Sequence, residues 1–455
     1  MASTIQSSFG TFVIPYAGSN LNGLADIVNT LLTDPNTIVT PYGSSVAAGP
    51  NVLFIDTLGG GVTAPGGGSF LVETGSAFVQ GSGTNDNVVF GAHVSTPGAS
   101  FVADSVGQGQ VGVYIDNGGS NNILFAAGNN TYDGGSASGA NTIAGGTGHD
   151  NIITGAAGSA VVFSGKGGST INLDDTTAAA AGTWNDLVWS NDGPATVNAA
   201  GHADAFASSS DNNVISDGDT TGTGTLSITF AAGSDNNKAL LNQTSVAGST
   251  RLDAVFDSGA NNLVIGGSAV LDFIAASGIG ANIIGGSNTN YIFGNANDTI
   301  NYTAVATAGN MVFVSGAAGG DNINASGSNA NNYFNGSSDA AAHNTNNTLV
   351  GGSGTDIFYT AADNETLTGG AGNNFYFIDS IAGSAGANIL ITDFGGGHSK
   401  VDFNGYTDAQ VAAALAGAST VTIGGSEALK VTLSDNTTVT FVGISSLTSS
   451  DIFHQ

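Results

Sequence analysis

Short apolar triplets set among turn residues run through most of this chain, and they limit what it can fold into. Val88-Val89-Phe90, Ile123-Leu124-Phe125, Val161-Val162-Phe163, Leu263-Val264-Ile265, Tyr291-Ile292-Phe293 and Met311-Val312-Phe313 all sit among Gly, Asn, Ser and Ala. Three apolar residues between turn formers are too few for a helix and read as a strand. A box of the form Asn-x-apolar-x-Gly-Gly recurs at 141–146 and 347–352, with one residue more at 261–267 and one fewer at 282–286. Self-similar strands joined by glycine turns predict stacked coils, in which each coil buries its apolar face only against its neighbours. The predicted fold is all-β: a Gly/Asn-rich β-solenoid, of the β-helix or β-roll kind, with short helices near the N- and C-termini. A β-sandwich of many short strands is the alternative.

Composition agrees with a folded chain. Hydrophobic residues make up 41% of it, enough for a continuous core, and proline supplies only 7 residues, so the 71 glycines are not collagen. Charged residues are only 9%, and they are one-sided: 5 Lys plus Arg against 34 Asp plus Glu, a formal net charge of −29. Such a chain is a poor partner for nucleic acid or an anionic membrane, and metal cations are its natural counter-charge. There is no cysteine, hence no disulfide and no thiolate metal site. The first twenty residues lack a basic segment followed by an apolar run, so no Sec-type signal is expected there. No stretch reaches the length of a membrane span.

Three segments are expected. Residues 1–50 read as an N-terminal cap or assembly segment, with a strand at 11–16 and a helix at 21–32 that Asn20 caps and Asp34-Pro35 ends. The apolar strand at 11–16 could cover its own first coil or be donated to a neighbouring subunit, and donation is slightly preferred. Residues 51–350 are an irregular β-solenoid. Segments 176–200, with Trp184 and Trp189, and 217–230 interrupt its rhythm and read as enlarged coils or protruding loops. Residues 351–455 form the third segment. It holds a helix at 406–416, with Thr407 as N-cap and Val411 and Leu415 on one face, then strands over 420–442 that turn at Ser434-Asp435-Asn436.

The chemistry lies in three nine-residue units. Residues 145–153 and 351–359 fit the calcium-binding nonapeptide Gly-Gly-x-Gly-x-Asp-x-U-x in full, where U is a large apolar residue, and 369–377 fits except for Asn374 at the Asp position. Residues 285–293 are a weaker relative. Glycines let such a turn point carbonyl oxygens inward, and the carboxylate supplies the charge a hard cation needs. The metal candidates are Gly146, Gly148 and Asp150, then Gly352, Gly354, Asp356 and Asn374, with calcium as the cofactor. In a β-roll one coil takes two nonapeptides, so Asp356 and Asn374 should stack, and the turn at 351–356 is the best site. Asn261, Asn262, Asn282, Asn331 and Asn332 are expected in metal-free amide ladders or Asx-turns.

From the nonapeptides at 351 and 369 onward the chain resembles the C-terminal cassette of RTX proteins exported by type I secretion. The resemblance is carried by Ile391-Thr392-Asp393-Phe394, the strand 400–406, the strand 433–444 and the acidic-apolar close at 447–453. It implies an uncleaved C-terminal export signal, a secreted or cell-surface location in a bacterium, and folding on meeting millimolar calcium. Perfect nonapeptides are fewer than usual, and His454-Gln455 extend past the expected end.

No catalytic residues are expected. The six histidines form no His-Glu-x-x-His pattern, no Gly-x-Ser-x-Gly lies between a strand and a helix, and the basic residues are scattered. Asp174-Asp175 reads as turn or cation-binding carboxylates. The expected function is a self-assembling structural protein of a surface layer or matrix filament, its partners further copies of itself and a cell-surface or matrix polysaccharide. A calcium-dependent adhesin and a β-helical polysaccharide-active enzyme are the rivals.

Overall fold

In the computed structural model, the structure describes residues 3–7, 10–14, 34–56, 60–67, 69–73, 77–82, 86–90, 92–94, 112–116, 120–125, 129–134, 139–146, 148–155, 158–173, 185–190, 193–199, 203–217, 225–241, 251–267, 271–278, 280–284, 289–296, 298–301, 311–335, 346–360, 364–380, 386–396 and 399–453. The chain divides into two compact units, Met1–Ile228 and Thr229–Gln455.

In the first unit the chain passes alternately through two parallel ladders. One contains Asn122–Phe125, Ala140–Ala144, Ser159–Phe163, Asp186–Ser190 and Ala203–Ser208, each paired with the next. The other contains Gly112–Ile115, Thr131–Asp133, Asp150–Ile153, Ser169–Leu173, Ala195–Ala199 and Val214–Asp217. Strands consecutive in sequence fall in different ladders, so the parallel pairs are made between coils. This is the β-solenoid of the prediction and not a sandwich of antiparallel strands.

Side chains alternate in and out along each strand. In-register partners therefore stack the inward residues into files: Ile123, Ile143, Val162, Val188 and Phe206 in one ladder, Tyr114, Tyr132, Ile152, Ile171, Val197 and Ile215 in the other, all buried. Each such Val, Ile or Phe gains roughly 1.5–3 kcal/mol from leaving water. Tyr114 and Tyr132 stack at 5.8 Å, and their hydroxyls donate to Asp86 Oδ2 (2.7 Å) and Asp116 Oδ2 (2.6 Å), so no polar atom of either ring is left bare.

The second unit repeats the plan. Its inner files include Val264, Ile283, Ile300, Ile323, Leu349 and Leu367, and an aromatic run of Phe334, Phe358 and Tyr376 whose rings stack at 4.7 and 5.0 Å. The ladder passes unbroken through residue 350, because Thr348–Val350 pairs with Glu365–Thr368. Strand Thr438–Val442 joins the ladder beside Asn388–Ile391, and Ser426–Thr432 and Ser419–Ile423 extend it antiparallel. The helix Asp408–Ala416 starts where expected. Thr407 and Gln410 form a reciprocal capping box, and Val411 and Ala414 are the buried residues, with Leu415 half-buried.

Three expectations change. Asp186–Ser190 and Ala195–Ala199 do not protrude: Leu187, Val188 and Trp189 alternate as a strand, and both strands are ladder rungs. Thr225–Phe230 is likewise a strand with Leu226, Ile228 and Phe230 buried. The N-terminal strand, Gly10–Ile14, pairs antiparallel within its own chain, with Ser3–Ser7 on one side and Ala92–Val94 on the other. Both its edges are filled locally, which removes the reason for donation. The helix expected at 21–32 and Trp184 lie outside the described residues.

Candidate calcium-binding turns

In many coils the residue two before the inward apolar residue is a buried Asp or Asn. Examples are Asn121 before Ile123, Asn141 before Ile143, Asp186 before Val188, Asn262 before Val264, Asp321 before Ile323 and Asn347 before Leu349. The bonding explains the preference. Its side-chain oxygen accepts the backbone N–H of the corresponding residue one coil earlier: Asp86 N–H to Asn121 Oδ1 (2.9 Å), Asn121 N–H to Asn141 Oδ1 (2.8 Å), Asn237 N–H to Asn262 Oδ1 (2.7 Å), Asp321 N–H to Asn347 Oδ1 (3.0 Å). A turn N–H at the rim of the core would otherwise be buried unpaired. The sixth position of the calcium nonapeptide is thus one instance of an Asx position that recurs in both ladders of each unit.

In the turn 351–356, Asp356 holds that position. Its Oδ1 accepts from Asn332 N–H (3.0 Å) and Asn332 Nδ2 (2.6 Å), and its Oδ2 accepts from Gly352 N–H (2.7 Å). One coil later Asn374 Oδ1 accepts from Asp356 N–H (3.0 Å), so the two residues stack as their 18-residue separation predicts. The turns also bond to one another: Ser353 N–H donates to Ser328 O and Ala371 N–H to Gly352 O, both at 2.9 Å. Asp393 closes the stack by accepting Gly369 N–H and Gly370 N–H, both at 2.8 Å.

The glycines are needed for space. A Cβ at Gly352 would meet the carbonyl oxygens of Ser328 and Ala325, one at Gly354 those of Ala330 and Asn329, and one at Gly351 the Asp356 carboxylate and Gly369 O. The turn is a cradle of carbonyl oxygens around one buried carboxylate. Desolvation pushes Asp356 up to about 6, against the lowering effect of Asn332 and Gly352. Calcium takes six to eight oxygen ligands, carboxylate and backbone carbonyl among them. These residues fit it: Asp356, Asn374 and the turn carbonyls would hold the ion, and the ion would supply the positive charge the buried carboxylate lacks.

The turn 145–150 has the same plan. Asp150 Oδ1 accepts from Asn130 N–H (3.0 Å) and Asn130 Nδ2 (2.9 Å), and Oδ2 bonds Gly146 N–H. Burial again pushes the carboxyl up to about 6. Gly148 is half-buried in the same turn. The next coil differs: Ser169 stands in the column and its Oγ accepts Gly165 N–H (3.2 Å), so the turn above offers a hydroxyl and the exposed Lys166 where Asn374 stands in the other stack.

Of the expected asparagine positions, Asn262 and Asn332 are buried in the column, Asn261 holds a left-handed turn (φ 57°), and the exposed Asn331 accepts Thr355 N–H (2.9 Å). Asn282 is exposed on the outer face. The turn of the weaker repeat, 285–288, lies outside the described residues. Asn130, Asn332 and Asp393 were not singled out as site residues from sequence. The signal that finds the two asparagines is an Asx two before a core residue in the coil before each nonapeptide. Among the described residues no three His, Asp or Glu side chains gather to hold a metal, so any site here leans on backbone oxygens. Among the same residues no helix is long and apolar enough to cross a membrane.

The family described as RTX calcium-binding nonapeptide repeat (4 copies) matches residues 136–158 and 343–376, the segments that contain both turns. Comparison with curated proteins and with solved structures gave no match. Glycine turns, a stacked Asx column and parallel coils thus accompany RTX-type calcium-binding repeats in a chain built as a β-solenoid.

Proposed function

We propose that this protein is an exported structural element, assembled outside the cell into a surface layer or matrix filament, whose solenoid is completed by calcium. The observation that carries the reading is the column of buried carboxylates. Asp150 and Asp356 are fully buried, and the turn that holds Asp356 is lined by backbone oxygens. Such a column destabilises the chain where calcium is scarce and stabilises it where calcium is plentiful, which suits a protein that folds after export. RTX repeat proteins are typically secreted, and the resemblance of the last hundred residues to a type I export cassette supplies the route.

The test images purified protein by electron microscopy and measures particle size by light scattering, with calcium and with EDTA. Calcium-dependent polymer supports the reading, and a monomer under both conditions removes the assembly part of it. Deleting residues 433–455 should hold the protein inside the cell; normal secretion of that deletion would remove the export part.

One observation favours an adhesin instead. Aromatic rings line the outer face of one ladder in the second unit: Phe256, Phe273 and Phe293 at 5.7 and 5.5 Å, then Tyr333, Tyr359 and Phe377 at 5.0 and 4.4 Å. Such a file offers sugar rings a stacking surface. Retention of soluble monomer on an insoluble polysaccharide, lost in Phe273→Ala with calcium binding unchanged, would favour this reading.

A further inference from the structure

A second kind of acidic site lies in the second unit, outside the segments that match the repeat family. Asp298 and Asp321 occupy the Asx column in consecutive coils. Strand Thr299–Asn301 pairs in register with Asn322–Asn324, so the two aspartates stand one directly beside the other. Both are 1% exposed. Asp298 Oδ1 accepts Ala281 N–H (2.8 Å), and Asp321 Oδ1 accepts Asp298 N–H (2.8 Å).

The column needs only one acceptor oxygen per coil. Asn262 and Asn347 provide it in the same file with a neutral amide. A carboxylate at this place brings a second oxygen and a charge, and both need a partner. In the turn 351–356 the second oxygen takes Gly352 N–H. At Asp321 the residues before the turn run as the strand Met311–Gly319, and among the described residues no donor reaches the buried Oδ2. Two stacked buried carboxylates, one with a bare oxygen, are expensive to hold unless a cation sits between them.

The spacing selects the ion. Neighbouring strands lie about 4.7–4.9 Å apart. Two oxygens on one calcium can be separated by at most about 4.6–5.2 Å, twice its bond length to oxygen, whereas two on magnesium reach only about 4.0–4.2 Å. Calcium, with longer bonds and a more adaptable ligand shell than magnesium, is therefore the better fit for carboxylates on adjacent coils.

We infer that Asp298 and Asp321 form a calcium site that ties consecutive coils together independently of the nonapeptide turns, with backbone carbonyls completing the ligand set. The site rests on the same calcium chemistry as the proposed function but on different residues, so the two fail separately. Asp150→Asn with Asp356→Asn reports on the repeats, and Asp298→Asn with Asp321→Asn reports on the pair. Asparagine keeps the column bond in every case.

The experiment is equilibrium dialysis of the full chain against calcium, with metal counted by atomic emission, alongside melting in calcium, in magnesium and in EDTA. The variant of the pair should bind one calcium per chain fewer than the parent, lose part of the calcium-dependent rise in Tm, and melt no lower than the parent in EDTA. Magnesium should reproduce none of this difference. Equal calcium stoichiometry in parent and variant overturns the inference, as does a variant that melts lower in EDTA yet keeps the full calcium-dependent rise. Should the double variant fail to fold, Asp321→Asn alone decides by the same count, since Asp298 then still holds Ala281 N–H.

Discussion

The two turns that match the calcium nonapeptide in full, 145–150 and 351–356, are nearly identical in sequence and unequal in what surrounds them. Both bury an aspartate whose Oδ1 is held by the asparagine one coil before, Asn130 or Asn332, and whose Oδ2 meets a glycine N–H. The coil after is what differs. Asn374 follows Asp356 in the column, with Asp393 one turn further holding two glycine N–H groups. Ser169 follows Asp150, beside Lys166. A calcium between stacked turns draws ligands from both, so the second turn has oxygen donors on each side and the first has fewer. The nonapeptide specifies half of a site, and the other half is set by whichever coil stacks upon it.

Four measurements would break or sharpen this comparison. The largest effect should come from removing calcium altogether. Each occupied site at a hundredfold excess over its Kd adds about 2.7 kcal/mol. Circular dichroism melts in EDTA should fall well below those in 5–10 mM calcium, roughly the range that saturates weak extracellular sites. Coincident melts would mean that the Asx column holds the solenoid without metal in both turns. Next, Asp356→Asn should remove more of the calcium-dependent rise in Tm than Asp150→Asn, the difference amounting to roughly 1.5–3 kcal/mol, one bond to a charged group. An equal loss from both variants would show that the coil above contributes nothing.

The third concerns protons, away from both turns. Burial pushes Glu365 up to about 7 from 4.5, against the lowering bond from Asn347 Nδ2 to its Oε1 (3.2 Å). A carboxyl raised on folding stabilises the folded state fully below its unfolded value and loses that contribution as pH rises through its folded value. Metal-free protein should therefore lose stability between pH 4.5 and 7, with Asp257, raised by burial to about 6, acting in the same direction. Melting temperatures in EDTA across this range should slope downward for the parent and less steeply for Glu365→Gln. An unchanged slope in the variant would assign the pH response to other carboxylates. The smallest effect is expected from Thr407→Ala, which breaks the capping box and costs about 1 kcal/mol. The loss should be the same with and without calcium, because the helix carries none of the candidate calcium ligands.

Much of this was legible because the repeat is written locally. The strands at 123–125, 161–163 and 263–265, the capped helix after Thr407 and the stacking of Asp356 on Asn374 all follow from patterns within a few residues or from one regular spacing of 18. What was missed depends on coil length. Ala160 N–H reaches Asp186 across 26 residues, yet Asn121 N–H reaches Asn141 across 20, so no fixed period reveals which turns meet. The strands at 186–190 and 195–199 read from sequence as part of a protrusion because the spacing to the preceding apolar triplet is long, although Leu187-Val188-Trp189 alternates as other rungs do. The role of Asn332 was invisible for the same reason, since it lies 24 residues before the aspartate it holds.

The sequence by itself determined the architecture and the ion. Apolar triplets between glycine turns leave a chain no core except one shared between coils, and −29 of charge with two complete nonapeptides leaves calcium as the natural partner. The tertiary structure alone decided which carboxylates stand beside one another and which backbone donors they find. Those contacts run between coils, perpendicular to the chain, at a spacing fixed by the ladder hydrogen bonds. Order along the chain constrains them weakly, so Asp298 meets Asp321 across 23 residues while Asp356 meets Asn374 across 18.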